Sequence, residues 1–417
     1  MLSPSIRLGI RANLPQFSLL VLINGFVGAM VGLERTVLPL IAEHEFGIAS
    51  KSVILSFLIS FGVVKALSNL FAGIFSERYG RKKILIIGWF VGLPVPFLLI
   101  YAPSWNWVIV ANLLLGINQG LCWSATVIMK IDLAGPKQRG LAMGLNEFAG
   151  YLAVAMAAYL SGMLAAQYGL RPYPFYLGIA FSFAGLLLST VFTRETSGHA
   201  RIESAETGSQ WDAIPFKEVF IQTSWKNGNL FSCSQAGLVN NLNDGAAWGL
   251  FPLFFAAHGL SVERIGLLAA IYPATWGVSQ LITGPLSDRL GRKWMIVFGM
   301  WLQGLALLAT ALMIEWSYQV SAMLLLGIGT AMVYPTLLAS VGDLTEPNWR
   351  ASAVGVYRLW RDLGYALGAI LSGFIADCLG IGDAVIVVGL LTFLSGTVVI
   401  FKMKEKLIRA APGRTNH

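Results

Sequence analysis

Residues 73–83 read GIFSERYGRKK, and residues 284–294 read GPLSDRLGRKW. The two segments lie 211 positions apart. At the same offset, LLLGI at 113–117 meets LLLGI at 324–328. Asp132, Pro136, Arg139 and Gly144 meet Asp343, Pro347, Arg350 and Gly355, and Ser161-Gly162 meets Ser372-Gly373. Gly32 and Pro39 meet Gly245 and Pro252 at a slightly different spacing, 213. Several anchors in one order at one spacing mark an internal duplication. Long-range repeats in an apolar chain are a mark of transporters, whose substrate sites lie near the midplane between repeats.

Composition puts the duplicated chain in a membrane. Of 417 residues, 56% are hydrophobic and 12% charged, with mean hydropathy +0.68. Soluble domains carry about a quarter charged residues. A membrane-crossing helix needs about 20 mostly apolar residues. That length rule predicts an all-α fold with twelve spans: 17–40, 53–75, 84–102, 107–130, 141–167 and 173–193, then 229–257, 265–287, 294–314, 317–341, 352–379 and 383–402. Residues 1–193 form one six-helix bundle and 229–417 a second with a tail. The polar segment 194–228 is read as the linker between them.

The net charge of +8 reflects topology rather than nucleic-acid binding. Of 29 Lys and Arg, 22 fall in loops and tails on one side, Lys130 among them. Lys51, Arg171 and Arg264 fall on the other, and Arg35, Lys65, Arg358 and Arg361 lie within spans. The positive-inside rule then puts both termini in the cytoplasm, in a multi-pass protein of the inner membrane. Cys122, Cys233 and Cys378 sit in apolar spans and are read as buried hydrophobes, neither disulfides nor metal ligands. No HExxH, GxSxG or Walker A pattern appears, so the chain is not read as an enzyme. Neither a cofactor nor a metal is expected.

Both copies of G-x-x-x-[DE]-R-x-G-R-[KR] resemble the hallmark loop of the major facilitator superfamily, and the resemblance covers essentially the whole chain. It implies two six-helix halves rocking about a central cavity lined by helices 1, 4, 7 and 10. It also implies a loop latch in each half: Gly73, Glu77, Arg78, Gly80 and Arg81 with Asp132, and Gly284, Asp288, Arg289, Gly291 and Arg292 with Asp343. Physically, Gly73 and Gly284 suit close helix approach, and Gly80 and Gly291 suit a tight turn. Two features depart from the pattern. The fourth span has Ala111 and Asn112 where the family often has an arginine. The fifth, GYLAVAMAAYLSG, lacks the Gly-Pro motif of many drug–proton antiporters.

Charges at bilayer depth cost at least about 2.5–3.5 kcal/mol each on insertion scales, so they face partners or cavities. Eight are predicted there: Glu34, Arg35, Lys65, Glu147, Asp244, Arg358, Arg361 and Asp362, summing to zero. Arg358, Arg361, Asp362 and Tyr365 share one helical stripe. The i, i+4 spacing pairs Arg358 with Asp362 and leaves Arg361 free. The resemblance, which sets helices 2 and 11 against each other across the halves, implies that Lys65 with Asn69 meets Asp362. Asn24, Gly28 and Arg35, Asn118 and Gln119, Asn240 and Asp244, and Tyr334 with Pro335 are predicted to line the cavity. A static network of the same groups is the competing structural reading.

A carboxylate in a dry cavity is suited to carry a proton. Glu34 and Asp244, then Glu147 and Asp362, are the candidate proton sites. The expected activity is proton-coupled efflux of a small solute by a monomer in the lipid bilayer, resembling bacterial drug and metal-resistance permeases. One alternative is uptake or exchange of an organic anion through Arg35, Arg358 and Arg361. Another is a membrane sensor that binds without flux.

Overall fold

The structure is a computed structural model, and it describes residues 7–135, 138–199, 202, 215–345 and 350–404. Regular structure among the described residues is helical. The long helices are α1 (Leu14–His44), α2 (Ser56–Tyr79), α3 (Arg81–Ile100, broken at Leu93 and Pro94), α4 (Trp105–Ala134), α5 (Arg139–Tyr168) and α6 (Tyr173–Phe192). After the linker come α7 (Gly228–Ala257), α8 (Val262–Leu290), α9 (Arg292–Leu312), α10 (Trp316–Leu344), α11 (Arg350–Leu379) and α12 (Ile381–Lys402). Ten helices among the described residues are long and apolar enough to cross a membrane. The two outside that set are α2, with a shorter apolar stretch at Ser56–Ala72, and α7, which carries NNLND at 240–244.

Local chemistry explains the boundaries. Ser261 and Asn227 cap α8 and α7 by accepting the first free backbone N–H groups. Gly80 and Gly291 turn the chain between α2 and α3 and between α8 and α9, at φ of +94° and +91°. A side chain at either would be strained. The linker is not wholly irregular: Phe216–Ile221 is helical and runs into a π-helical turn at Gln222–Lys226.

Within the first set of helices α1 packs on α5 and α2 on α4; within the second, α7 packs on α11 and α9 on α10 and α12. Lipid gives helices no hydrophobic reason to associate, so close backbone approach at small residues has to supply the contact. Gly32 of α1 abuts the Val154 carbonyl of α5, and Gly245 of α7 abuts the Tyr365 carbonyl of α11. These are the same contact in the two repeats.

The most extensive contacts across the seam between the sets are α5 with α8 and α2 with α11. Both are drawn together at the end opposite the Gly80 and Gly291 turns. A Cβ on Gly162 would lie 2.8 Å from the Cα of Gly266, and one on Gly373 would lie 2.8 Å from the Cα of Ser52. There Asp377 of α11 accepts hydrogen bonds from Ser50 Oγ (2.9 Å), Lys51 N (2.5 Å) and Ser52 N (3.0 Å), just ahead of α2. Toward the loop end α5 and α8 part: a Cβ on Gly144 or Gly284 would meet nothing within 4 Å. The close approach predicted at Gly284 is therefore absent in this conformation.

Two further expectations are corrected. Lys130, assigned to a loop, is fully buried in α4 and donates to the Leu20 carbonyl at 3.3 Å. The helix runs four residues beyond the predicted span, to Ala134, which carries the lysine into the bundle. Cys378 is exposed, whereas Cys122 and Cys233 are buried.

Candidate functional site

The centre of α11 holds a fully buried carboxylate, Asp362. Such a group needs strong donors on both oxygens. Arg361 supplies Nε and Nη2 to Oδ1 at 2.9 and 2.6 Å. Asn69 of α2 supplies Nδ2 to Oδ2 at 2.6 Å, and Ser124 of α4 donates to Asn69 at 2.8 Å. Arg361 Nη1 also donates to the Tyr334 hydroxyl of α10 at 2.5 Å. The partner of Asp362 is thus Arg361, not Arg358, and Arg361 is not free. Tyr334 draws Arg361 into the bundle, whereas Arg358, one turn nearer the loop end, stays half-buried. Lys65 lies over the Tyr365 ring, 4.8 Å from its centroid, while Asn69 makes the direct bond to Asp362.

A second cluster lies nearer the opposite end. Arg35 of α1 is buried, its guanidinium 4.2 Å from the Trp248 ring and 5.2 Å from that of Phe61. Its Nε and Nη1 have no hydrogen-bond partner, and neither has either carboxylate oxygen of Glu34. Asp244 of α7 accepts from the Tyr272 hydroxyl of α8, and its Oδ2 has no partner. Tyr272 Oη lies 3.2 Å from Thr330 Oγ1 of α10. Beside this cluster is a narrow pocket whose walls include Arg35, Trp248, Phe251, Phe255, Tyr272 and Met323. Unpartnered buried polar atoms are costly. Arg35 and Tyr272 are walls of this pocket and Asp244 is bonded to Tyr272, so this is a place where a proton or a polar ligand gains bonds.

Between the two clusters rings bridge the seam. Tyr151 of α5 stacks on Trp276 of α8 at 3.6 Å, and Tyr334 approaches Trp276 at 5.2 Å. On the loop side of this layer Glu147 of α5 accepts from Trp123 (3.1 Å) and Asn146 (2.8 Å), leaving Oε2 without a partner. Lys130 and Asp132, both buried in α4, add one charge of each sign to the predicted eight, so the charges named among the described residues still sum to zero.

Several predicted cavity residues instead bind helices together. Asn24 donates to the Asn146 carbonyl (2.9 Å) and accepts from Thr126 (3.0 Å). Asn118 donates to the Gly88 carbonyl and Gln119 to that of Val27. Asn240 accepts from Gln303 at 3.1 Å. Sequence reasoning missed Tyr272, Thr330, Trp248 and Lys130. For Tyr272 a signal existed, a polar-tipped ring in the middle of an apolar span, which needs a partner when buried.

At the loop end the two repeats share an arginine–aspartate pair. Arg81 Nε donates to Asp132 at 3.2 Å, and Arg292 Nε donates to Asp343 at 3.1 Å. Thr196 also donates to Asp132 at 2.7 Å. Glu195 accepts from the backbone N–H groups of Arg81, Lys82, Thr196 and Ser197. Burial alone would push its carboxyl up, but these four donors outweigh burial and hold it below the ordinary glutamate range. Gly73 lies within α2, but its surroundings and the side chains of Glu77, Arg78, Asp288 and Arg289 are outside what the structure describes.

The Major Facilitator Superfamily model matches residues 18–239 and again 233–416. The chain belongs to the Major Facilitator Superfamily. An uncharacterized MFS-type transporter of Methanocaldococcus jannaschii is 23% identical over 80% of this chain and 86% of its own. Multidrug resistance protein MdtG of Proteus mirabilis is 24% identical over 84% and 86%. Among solved structures, a bacterial homologue of the lysosomal transporter Spinster, inward-facing and unoccupied, superposes with a TM-score of 0.72 over 93% of this chain and 97% of that one, at 15% identity. A POT family transporter in complex with a thioalcohol-conjugated peptide gives 0.72 over 92% and 95%, at 12% identity. This superfamily member is therefore a multi-pass membrane transport protein.

Proposed function

We propose that the chain is a twelve-span, monomeric, proton-coupled exporter of a small solute in the cytoplasmic (inner) membrane. Both termini and the loop end face the cytoplasm, and residues 1–193 and 229–417, joined by the linker at 194–228, rock about the central cavity. The observation that carries this reading is Asp244, a buried acid with one unpartnered oxygen that is bonded to Tyr272 in the wall of a pocket next to the seam, with Glu34 buried beside Arg35 of the same wall. A proton on either acid relieves an uncompensated buried charge, so each is suited to load and unload protons as the cavity changes access. With the loop end cytoplasmic, the parted α5 and α8 open the seam inward. The pairs of Arg81 with Asp132 and Arg292 with Asp343 hold the latch loops, which engage when that end closes. The name of the Proteus mirabilis relative supports export of drug-like compounds.

The test is transport in proteoliposomes under an imposed pH gradient, with substrates found by an accumulation panel of drugs, metals and organic acids. Glu34→Gln and Asp244→Asn should each lose proton-driven flux. Full coupled activity in both would remove these acids from the mechanism.

One observation favours a second reading, exchange or uptake of an organic anion. Arg35 Nε and Nη1 are buried without hydrogen-bond partners in the wall of the pocket. Competition by aromatic carboxylates, and its loss in Arg35→Gln, would select that reading. Saturable binding without flux of any compound in the panel would instead identify a sensor.

A further inference from the structure

We infer that Tyr272 and Thr330 are positioning residues for proton exchange at Asp244, keeping it hydrogen-bonded in both of its protonation states. The inference rests on the proposed role of Asp244 as a proton site.

The case is an inventory of protons. Tyr272 is 2% exposed, and its hydroxyl has one proton and two oxygens in reach. One is Asp244 Oδ1, to which it donates; the other is Thr330 Oγ1 at 3.2 Å. Thr330 places its own proton on the Leu326 carbonyl one turn back, at 2.9 Å. Its oxygen is thereby left as an acceptor.

With Asp244 ionised, the Tyr272 proton points to Oδ1. When Oδ1 takes up a proton, the new O–H donates to the Tyr272 oxygen, and the Tyr272 O–H rotates to Thr330 Oγ1. One O–H bond forms, at Asp244, and the others stay intact. No buried hydroxyl loses its partner in either state, which avoids the cost of an orphaned polar group. The other groups that act on Asp244 are Arg35 from α1, Lys65 from α2, and Arg361 and Tyr365 from α11. They bias its charge, but among the described residues only Tyr272 is bonded to it.

Position gives the switch an audience. The Tyr272 ring is a wall of the Arg35 pocket and lies 5.9 Å from Trp276, which stacks on Tyr151 across the seam. The residue that senses the proton thus touches both the pocket and the joint between the helix sets.

The test is pH-difference infrared spectroscopy of the full chain in liposomes without substrate. It reads the C=O stretch of protonated carboxyls, assigned to Asp244 by its loss in Asp244→Asn. Tyr272→Phe deprives the ionised form of its donor, so the midpoint should rise by about one pH unit, a tenfold gain in proton affinity. Thr330→Val deprives the protonated form of its terminal acceptor, so the midpoint should fall. General loosening would not move the two in opposite directions. Midpoints that overlay the wild type, or that shift together, overturn the inference while leaving Asp244 as a proton site. If Asp244→Asn removes no band, the underlying reading fails and the inference with it.

Discussion

Tyr151 of α5 and Trp276 of α8 lie face to face across the seam, their ring centroids 3.6 Å apart. Stacked aromatic pairs contribute about 0.5–1.5 kcal/mol beyond the area they bury. Tyr151→Leu keeps an apolar side chain but loses the stack, and should lower the stability of the detergent-solubilised protein by about that amount. Tyr151→Phe keeps the ring and should stay within about 0.5 kcal/mol of wild type. Thermal unfolding compares the two, and equal losses would show that the hydroxyl rather than the ring matters.

The buried pair at the heart of α11 should respond asymmetrically. Removing one partner leaves a charge stranded, at a cost of about 3–5 kcal/mol. Asp362→Leu and Arg361→Met should each be this damaging, whereas the two substitutions together should cost less than either. A double-mutant cycle on unfolding measures the difference. Simple additivity would mean that the two side chains do not act as a pair.

Glu195 predicts an acid limb in the stability profile. Its folded-state value lies below the ordinary glutamate value of 4.5. The stabilisation is therefore fully present above that value and fades as pH falls below it through the folded-state value. Glu195→Gln should flatten the profile in that acid window and leave the neutral region nearly parallel to wild type. A wild-type acid limb in the variant would rule the residue out as its source.

Asp377 ties α11 to the 50–52 turn by three hydrogen bonds. Asp377→Ala should release the end opposite the loops, and Asp377→Glu should partly restore it. Because Cys122 and Cys233 are buried and Cys378 is exposed, a spin label at Cys378 paired with one at His44→Cys reports the separation there. The Ala variant should add a longer-distance population. An unchanged distribution would show that the glycine contacts alone keep this end shut.

What the sequence made legible was the part repeated in it. Turns at Gly80 and Gly291 recur at the 211-residue offset, and the resemblance to the superfamily implied Asp132 and Asp343 as the partners of Arg81 and Arg292. Lys130 was misplaced because hydropathy marks where apolar surface ends, whereas helix hydrogen bonding carries α4 on to Ala134. The partner of Asp362 was misassigned for a related reason. Spacing along α11 favours Arg358, but the choice is made by Tyr334 on α10, which no pattern within α11 encodes. Tyr272, Asp244 and Thr330 likewise meet only because three helices converge.

The α5–α8 crossing has one more consequence. Gly162 faces Gly266 and Tyr151 faces Trp276, and following the same antiparallel register toward the loops brings Gly144 opposite Gly284. The aromatic stack therefore sits as a fulcrum between two flush stops, one seated and one with clear space before it. A seesaw of this construction can come to rest on either side without reshaping a single side chain at its stops.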